Sequence, residues 1–452
     1  MKIEESKQSN NSPIGGRGTA WGAWYAVGIL TLANISSFID RQVLSLLVKP
    51  IKRDLHLSDT EMSLLMGLSF AIFYTIFGIF IGRLADRKSR RNIIIAGISI
   101  WSFMTTLCAG VGTYIQFFFA RMGVGVGEST LSPSAYSMIS DLFPKNKLAT
   151  AMSIFSLGVF LGSGIAMLIG SGIVAKLPTE GMITIPFLGE IFPWQLIFLY
   201  VGLPGLVIAG LLFTVTEPSR TNSLKKDGET VKLSLSESFA IIFKHRTAYL
   251  LICFATAFQA FINYGSNAWI PTFVARTYGW EAPRAGAFYG VVLVTSSVLG
   301  VLFGGWYADK LVKKGVIDGR LRISLMAGIL CIFSCVLPLS PKPEWALLAI
   351  FIPNFALAAP FGAITAAIQE IMPNQVRALA SSIFLFILNL IGIGLGPLAV
   401  AFFTDSIFKD ENMIRYSLVL MYLIGGIMIT VLTALALKPY RKAVEETKIH
   451  TI

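Results

Sequence analysis

Apolar runs alternate with short polar breaks along the whole chain of 452 residues. Most runs have about 20 residues or more, the length that an α-helix needs to cross the hydrocarbon core of a bilayer. Lipid satisfies no backbone hydrogen bonds, so runs of this kind form helices when they span a membrane. The pattern predicts an all-α polytopic membrane protein with twelve spans, at roughly 21–47, 62–84, 91–111, 113–140, 147–171, 193–214, 247–275, 284–308, 322–340, 344–372, 377–403 and 414–437.

Composition agrees with this prediction, and the charges orient the helices. The chain is 54% hydrophobic with a formal net charge of +12, and its mean hydropathy is +0.70. Most Lys and Arg residues fall in the two tails and in every second break between spans, so the positive-inside rule predicts cytoplasmic termini. This placement indicates membrane orientation and not nucleic-acid binding. Short loops favour a multi-pass protein of a bacterial inner membrane, and a monomer is the default expectation.

Residues that hold metals or form disulfides are few. The four cysteines lie within predicted spans, whereas His56, His245 and His450 lie in loops or in the C-terminal tail. These positions favour neither a metal site nor a disulfide framework. The sequence also contains no Ser/His/Asp set and no Walker-type phosphate loop. We therefore expect a protein that is not an enzyme, has no cofactor and uses no ATP.

The alternating glycines in RMGVGVGEST, residues 121–130, superficially match a nucleotide-binding loop. Such a loop follows a strand in a soluble βαβ unit, whereas this segment lies inside an apolar run. Small residues let membrane helices approach closely, so Gly123, Gly125 and Gly127 are predicted to be packing positions. Pro133 and Pro360 are predicted to kink the fourth and tenth spans.

Two motifs occur once in each half of the chain. GRLADRKSRR and GWYADKLVKKG follow the second and eighth spans, and ISDLFPKNKLATAMSIF and IQEIMPNQVRALASSIF follow the fourth and tenth. Repeated six-helix halves are typical of secondary transporters, whose substrate site lies between the halves. The predicted parts are a cytoplasmic tail (1–20), a six-helix bundle (21–216), a cytoplasmic linker (217–246), a second six-helix bundle (247–437) and a cytoplasmic tail (438–452).

These runs also resemble a known family. GRLADRKSRR resembles the loop signature of major facilitator superfamily transporters, although Ser89 stands where glycine is usual. Within the superfamily, FIDRQVLSLLVKPIKRDLHLSDTEMSLL, VGVGES and SPSAYSMISDLFPKNKLATAMSIFSLGVFLGSG are most similar to the spinster family. Trp194-Gln195 departs from the Trp-Arg of many bacterial relatives, and Ser129 stands where alanine is frequent. The resemblance implies a transporter that works by alternating access. The spinster family is associated with export of lysophospholipids and sphingoid phosphates, so the resemblance also implies a substrate of that kind.

Four charged residues lie inside predicted spans: Asp40 and Arg41 in the first, and Arg121 and Glu128 in the fourth. Ionisable residues inside the bilayer are unfavourable and mark functional sites by default. Arg121 and Glu128 are two helical turns apart on one face, with about 10 Å of rise between them, so they cannot neutralise one another directly. The simpler alternative is that the four charges only hold helices together.

Polar neighbours extend both charged faces. Asn34 and Ser37 form a stripe with Arg41 in the first span, and Ser132 continues the face of Arg121 and Glu128. These stripes are predicted to line a hydrated substrate cavity, in which a change of hydration can move a proton onto or off a carboxyl group.

The four charges are therefore predicted to couple transport to protons. Asp40 or Glu128 would carry the coupling proton. Arg41 or Arg121 would hold the deprotonated acid or an anionic group of the substrate. The spinster resemblance implies the same roles for the Asp-Arg pair and the glutamate.

The C-terminal spans contain amides and aromatic residues in place of deep charges. Gln259, Asn263 and Asn267 repeat every four residues and so share one helix face, and Phe361 is among the aromatic candidates. Interhelical hydrogen bonding is the alternative role for each amide. Together the two walls fit a substrate with a charged head and an apolar body.

The superfamily resemblance also implies a gate. Asp86 and its basic neighbours would latch the cytoplasmic ends of the halves when the carrier faces outward. The basic neighbours are Arg87, Arg90 and Arg91, and Asp309 would be a weaker copy in the second half.

The sequence thus predicts a proton-coupled secondary transporter for an amphipathic, anionic, lipid-like substrate such as a lysophospholipid. The alternative is a proton symporter of a small organic anion, a sugar acid or carboxylate. Membrane lipids and protons are the other expected partners.

Overall fold

The computed structural model describes residues 20–85, 88–178, 181–185, 189–218, 235–372 and 376–449. Among these, eleven helical segments are long and apolar enough to span a membrane. The fourth predicted span is present as two shorter helices. The α-helices are Ala20–Gln42, Val48–Leu55, Asp59–Ser63, Ser69–Ala85, Arg90–Leu107, Tyr114–Glu128, Leu131–Leu142, Lys145–Val174, Pro193–Leu212, Leu235–Lys244, Arg246–Tyr278, Ala282–Lys313, Gly319–Phe333, Pro343–Ala349, Phe351–Ala358, Phe361–Ile371, Arg377–Asn389, Gly396–Phe402 and Ile414–Ile449.

Both predicted kinks occur, each shortly before the proline. Helix Tyr114–Glu128 ends where Ser129 and Thr130 turn their hydroxyls back to carbonyl groups of the preceding turn. Pro133 has no N–H to donate to the carbonyl group of Ser129, four residues earlier, which removes a helix bond at the same place. In the tenth span, helices end at Ala358 and begin again after Pro360.

The remaining regular elements lie between spans. Two short strands, Ile183–Ile185 and Gly189–Ile191, form an antiparallel hairpin with Ile183 opposite Ile191 before the sixth span. Helix Leu235–Lys244 lies in the predicted linker, with Ile242 buried and Phe239 exposed.

The described core has a larger cluster that joins both halves, one cluster mainly in the first half and two in the second half. The joining cluster includes Leu46 and Leu65 from the first half with Trp269 and Phe273 from the second. The predicted packing glycines are confirmed as close contacts. A Cβ atom at Gly125 would lie 2.7 Å from the carbonyl oxygen of Phe70.

The second and eleventh spans contain π-helical turns that face each other across the halves. The turns are Leu64–Leu68 and Leu390–Leu395. Pro397 has no N–H to give the Ile393 carbonyl four residues earlier, and that oxygen lies against Gly67. The Pro397 carbonyl accepts hydrogen bonds from Ser63 of the first half (3.1 Å) and Trp269 of the second (3.0 Å). Gly67 therefore permits a close seam between the halves.

Replacing Gly67 with alanine is expected to open this seam. The added Cβ would lie 2.4 Å from the Ile393 oxygen, which is backbone, and overpacking of this kind costs about 1–3 kcal/mol. Spin labels at Lys49→Cys in the first half and Asn412→Cys in the second, both exposed positions, should lie farther apart than in a labelled protein that keeps Gly67. Gly78→Ala on the same span is the control, because nothing lies within 4 Å of its Cβ position. Equal distances in both variants would contradict the expectation.

Candidate functional site

An ion pair between the first and fourth spans lies at the centre of the candidate site. Arg41 Nε and one terminal nitrogen approach Glu128 Oε2 at 2.6 and 2.5 Å. The Glu128 side chain is fully buried, whereas 11% of the Arg41 side chain is exposed. The predicted pairing of an arginine with an acid is present, and Arg41 is the partner that still reaches open space.

Aromatic rings surround the Arg41 guanidinium. Its central carbon lies 4.3 Å from the centre of the Phe70 ring and 4.9 Å from the rings of Phe38 and Tyr74. Cations are attracted to the faces of such rings, so the aromatic cage holds Arg41 in place even when its carboxylate partner changes. A guanidinium held in this way can exchange one anion for another.

Asp40 and Arg121 lie behind this pair in the first bundle. Both side chains are almost completely buried, and neither makes a hydrogen bond of ordinary length to another described residue. Asp40 interacts electrostatically with Arg121 and Glu128 and lies near Thr105. Buried charges without partners are unfavourable. The charge of Arg121 is balanced here only by electrostatic interaction with Asp40 and Glu128, so a proton on either acid would change that balance.

Two cavities lie between the halves, and Tyr264 lines both of them. The first cavity, of about 410 Å³, is lined by Arg41 and Ser45 of the first half and by residues of the seventh and eleventh spans. The second, of about 320 Å³, has Asn263 and Asn267 in its wall. Both volumes include open solvent, so the lining residues, and not the volumes, indicate what could bind there.

Of the predicted amides, two reach a cavity and two do not. Asn267 Nδ2 donates to Asn263 Oδ1 at 3.3 Å, and both residues line the second cavity. Asn34 instead donates to the Phe155 carbonyl at 3.0 Å, and Gln259 donates to the hydroxyl of Ser324. The last two bonds join neighbouring helices, which was the alternative role for an amide in a span.

The other predicted substrate residues lie at the margin of the site. Ser37 donates to the Asn34 carbonyl at 3.2 Å and lies near Glu128. Ser132 is half-buried and lines neither of the two cavities described. Phe361 is exposed and contacts Phe160, which lines the second cavity, edge-to-face at 5.5 Å.

Four charged residues form a closed ring that joins the halves at one end of the molecule. Arg276 binds Asp59 through two nitrogens, at 2.5 and 2.8 Å, and Glu411 at 2.8 Å. Lys52 pairs with Asp59 and, at 2.7 Å, with Glu411. We call these four residues the ion ring and this end the ring face. Beside the ring, the Thr60 backbone N–H and hydroxyl both donate to Asp405 Oδ2 at 2.7 Å.

The opposite end, where the first described helix begins at Ala20 and the last ends at Ile449, is here called the terminal face. There Arg90 pairs with Asp141 of its own half and with Glu217, the first residue of the predicted linker. Burial raises the pKa of Glu217, but hydrogen bonds from the Arg91 backbone, Arg90 and Ser89 outweigh it, so the pKa lies below its usual value.

The predicted latch residues have mixed outcomes at the terminal face. Arg91 also binds within its half, donating to the Val215 carbonyl at 3.1 Å. Asp309 is exposed, and Asp86 and Arg87 lie outside the described residues. In this conformation, therefore, the hydrogen bonds of Arg90 and Arg91 with described residues lie within the first half and at its junction with the predicted linker.

Several site residues could not be recognised in the sequence. Tyr264 lies between Asn263 and Asn267, but an aromatic residue in a span usually packs against lipid or core. Lys52 and Arg276 lie at span edges, where charged residues are common. Within the part of the chain that the structure describes, no group of three or more His, Cys, Asp or Glu side chains could hold a metal ion.

Comparisons with known proteins agree with this architecture. The chain is 28% identical to an MFS-type efflux pump of Mycolicibacterium smegmatis, with 86% of each chain covered. It is 27% identical to a probable L-galactonate transporter of Escherichia coli, with 78% of each covered. A crystal structure of a bacterial homologue of the human lysosomal transporter Spinster, inward-facing and unoccupied, superimposes with a TM-score of 0.74 at 26% identity, covering 95% of this chain and 98% of that one.

The family model described as Major Facilitator Superfamily matches residues 30–397. That range contains the residues that line the two cavities and the two π-helical turns that face each other, Leu64–Leu68 and Leu390–Leu395. The predicted multi-pass membrane location and the likeness to spinster proteins are confirmed, and a bacterial inner membrane is consistent with the bacterial spinster structure. The chain belongs to the major facilitator superfamily and is a membrane transporter, not an enzyme.

Proposed function

We propose that the protein is a proton-coupled carrier of an amphipathic anion, such as a lysophospholipid. The observation that carries this proposal is the Arg41–Glu128 pair, because its arginine lines a cavity between the halves while its acid is buried. An anion that enters the first cavity and the Glu128 carboxylate compete for one guanidinium. A proton on Glu128 removes the competition. The protonated protein therefore binds the anion more tightly than the deprotonated protein does.

The buried pair behind this site would assist the transfer. Asp40 and Glu128 both interact electrostatically with Arg121, and Asp40 also interacts with Glu128. A proton on either acid changes the field at the other, so the two titrate as a coupled pair. Arg121 compensates whichever carboxylate is charged, and Arg41 then binds the substrate.

Alternating access would arise from rocking of two bundles, residues 21–216 and 247–437, joined by the linker 217–246. The ion ring and the Gly67 seam close the ring face here, so the site would open toward the terminal face, which the basic residues assign to the cytoplasm. Opening the ring face would require Asp59 to leave Arg276. Asp86, Arg87, Arg90 and Arg91 would then latch the terminal face, with Asp309 opposite.

The substrate class rests on the contrast between the two walls. The first half supplies Arg41, and the second supplies Asn263, Asn267 and aromatic surface that includes the exposed Phe361. A charged head with an apolar body contacts both walls. A small organic anion is the second candidate, favoured by the likeness to the probable L-galactonate transporter.

Arg41→Ala tests whether the site binds anions. A charged hydrogen bond contributes about 1.5–3 kcal/mol, so the variant should bind 1-lauroyl lysophosphatidic acid about 10- to 100-fold more weakly than the wild type. Dissociation constants on purified protein measure this, with D-galactonate as the second probe. Arg284→Ala is the matched control, because Arg284 also lies on an aromatic ring, 4.0 Å from Trp280, but outside the cavities.

Three outcomes separate the candidates. Loss of lysolipid binding in Arg41→Ala alone supports the proposal. Binding of galactonate only, again dependent on Arg41, transfers the function to the small-anion candidate. Binding of neither probe, or equal binding in Arg41→Ala and the wild type, contradicts anion recognition at Arg41.

A further inference from the structure

A chain of three polar side chains leads from the buried core of the second half to the wall of the second cavity. The Tyr289 hydroxyl donates to Asn267 Oδ1, and Asn267 Nδ2 donates to Asn263 Oδ1 at 3.3 Å. Tyr289 is completely buried, whereas Asn263 is half-buried and lines the cavity. We call these three residues the amide relay.

The direction of this relay determines which group Asn263 turns to the cavity. An asparagine amide carries one carbonyl oxygen and one NH₂ group with two donors. Tyr289 occupies the oxygen of Asn267, so Asn267 turns its NH₂ group toward Asn263. That contact turns the oxygen of Asn263 toward Asn267. The NH₂ group of Asn263 is then the part left for a ligand, and the cavity wall acts as a donor.

The buried end of the relay is what keeps its direction. Tyr289 is held in the core cluster that joins the halves, and the amide of Asn354 lies beside its hydroxyl. The relay occupies low-dielectric surroundings, where reversing it would leave a buried donor or acceptor without a partner, at a cost of about 1–3 kcal/mol. Ser163 and Ser297 add hydroxyl groups to the same cavity.

Tyr264 separates this cavity from the one that contains Arg41. It lines both cavities, interacts electrostatically with Arg41 and Glu128, and packs against the core of the first half. A substrate that reaches both sides of Tyr264 therefore meets two donor sites. One is the charged guanidinium of Arg41, and the other is the neutral amide of Asn263.

We propose that the second cavity is a separate subsite for an uncharged oxygen group of the substrate, an ester or hydroxyl oxygen, bound by Asn263 in an orientation set by Tyr289 and Asn267. This inference rests on the proposed function, because it takes Arg41 as the site of the anionic group. It narrows the substrate class to anions that carry such an oxygen near the charge. Plain alkyl anions satisfy only half of the site.

The test compares anions that carry such oxygens near the charge with anions that lack them. The first pair is 1-lauroyl lysophosphatidic acid, with its ester and hydroxyl, against dodecyl phosphate. The second pair is D-galactonate against hexanoate, which distinguishes a lipid from a small-anion source. Wild-type protein should prefer the oxygen-bearing member of at least one pair, and Tyr289→Phe should reduce that preference by about three- to tenfold, since one neutral hydrogen bond no longer has a fixed direction.

Asn267→Asp provides a sharper version of the same test. A carboxylate at this position accepts from both Tyr289 and Asn263, so Asn263 would turn its carbonyl oxygen to the cavity. The preference for oxygen-bearing probes should then disappear. Tyr422→Phe is the control, because Tyr422 is an equally buried tyrosine whose hydroxyl contacts Ser266 at 3.0 Å and which lines neither described cavity. Its preference should equal that of the wild type.

The outcomes separate this inference from the proposed function. If the wild type binds both members of each pair equally while Arg41→Ala weakens all of them, the subsite is wrong and anion carriage stands. The subsite is equally wrong if Tyr289→Phe and Asn267→Asp keep the full preference. If no probe binds the wild type, both proposals fail together. Should Tyr289→Phe not fold, Asn263→Leu replaces it, with the same expected loss of preference.

Discussion

Replacing Glu128 with glutamine is expected to remove the pH dependence of anion binding while leaving binding itself intact. In the wild type, both bonds from Arg41 end on one oxygen of the Glu128 carboxylate. Deprotonated Glu128 therefore competes with the substrate, and protonated Glu128 does not. Affinity for an anionic probe should rise as pH falls. Coupling of this kind between two sites is typically about 5- to 150-fold.

The glutamine variant imitates the protonated acid at every pH. Its neutral amide cannot hold a guanidinium as a carboxylate does, so Arg41 stays available to the anion. We expect a flat affinity profile close to the acidic limit of the wild type, together with loss of uptake driven by a proton gradient. Dissociation constants across a pH series and uptake into proteoliposomes with an imposed gradient measure the two effects.

Two further variants test whether the effect is specific to Glu128. Glu344→Gln also removes a glutamate near an arginine, but that pair is 4.0 Å apart and largely exposed, so its profile should follow the wild type. Asp40→Asn identifies the proton carrier. A flat profile in Asp40→Asn with an unchanged one in Glu128→Gln would assign the proton to Asp40. An unchanged profile in both variants would contradict proton coupling at these acids.

The sequence predicts the spans well for a physical reason. Each span must be apolar over about 20 residues whatever it packs against, so the signal is local. The deep charges can be recognised for the same reason, because Asp40 and Glu128 are unfavourable in any lipid-facing position. Pairing is different. Spacing cannot show that Arg41 contacts Glu128 while Arg121 lies without an ordinary hydrogen bond, since that depends on how two helices rotate against each other.

The contacts of residues at span edges are even harder to predict from the sequence. Lys52 and Arg276 lie where charged side chains are usually solvated, and nothing local shows that they meet across the halves. Asn34 and Gln259 show the opposite error, since their helical spacing suggested a cavity wall whereas their bonds join helices. Tyr264 illustrates a third limit. Its importance comes from the two cavities that meet at its ring, and a cavity is a property of the assembled fold.

Replacing Asp59 with asparagine is expected to open the ring face. Asp59 is completely buried and binds both cations of the ion ring, Lys52 and Arg276. Breaking a buried pair by removing one partner costs about 3–5 kcal/mol. Both cations keep their contacts with the exposed Glu411, so we expect the lower end of this range. The penalty applies only while the ring is closed. The equilibrium between closed and open ring faces should therefore shift by roughly 10²-fold toward the open state.

The ring itself contains the control for this prediction. Glu411 contacts the same Lys52 and Arg276, but 58% of its side chain is exposed, and exposed ion pairs contribute only about 0–1 kcal/mol. Glu411→Gln should therefore shift the equilibrium less than about tenfold. Distances between spin labels at Lys49→Cys and Asn412→Cys report both variants. Equal shifts in the two variants would show that burial does not set the strength of the ring, and no shift in Asp59→Asn would remove the ring from the gating mechanism.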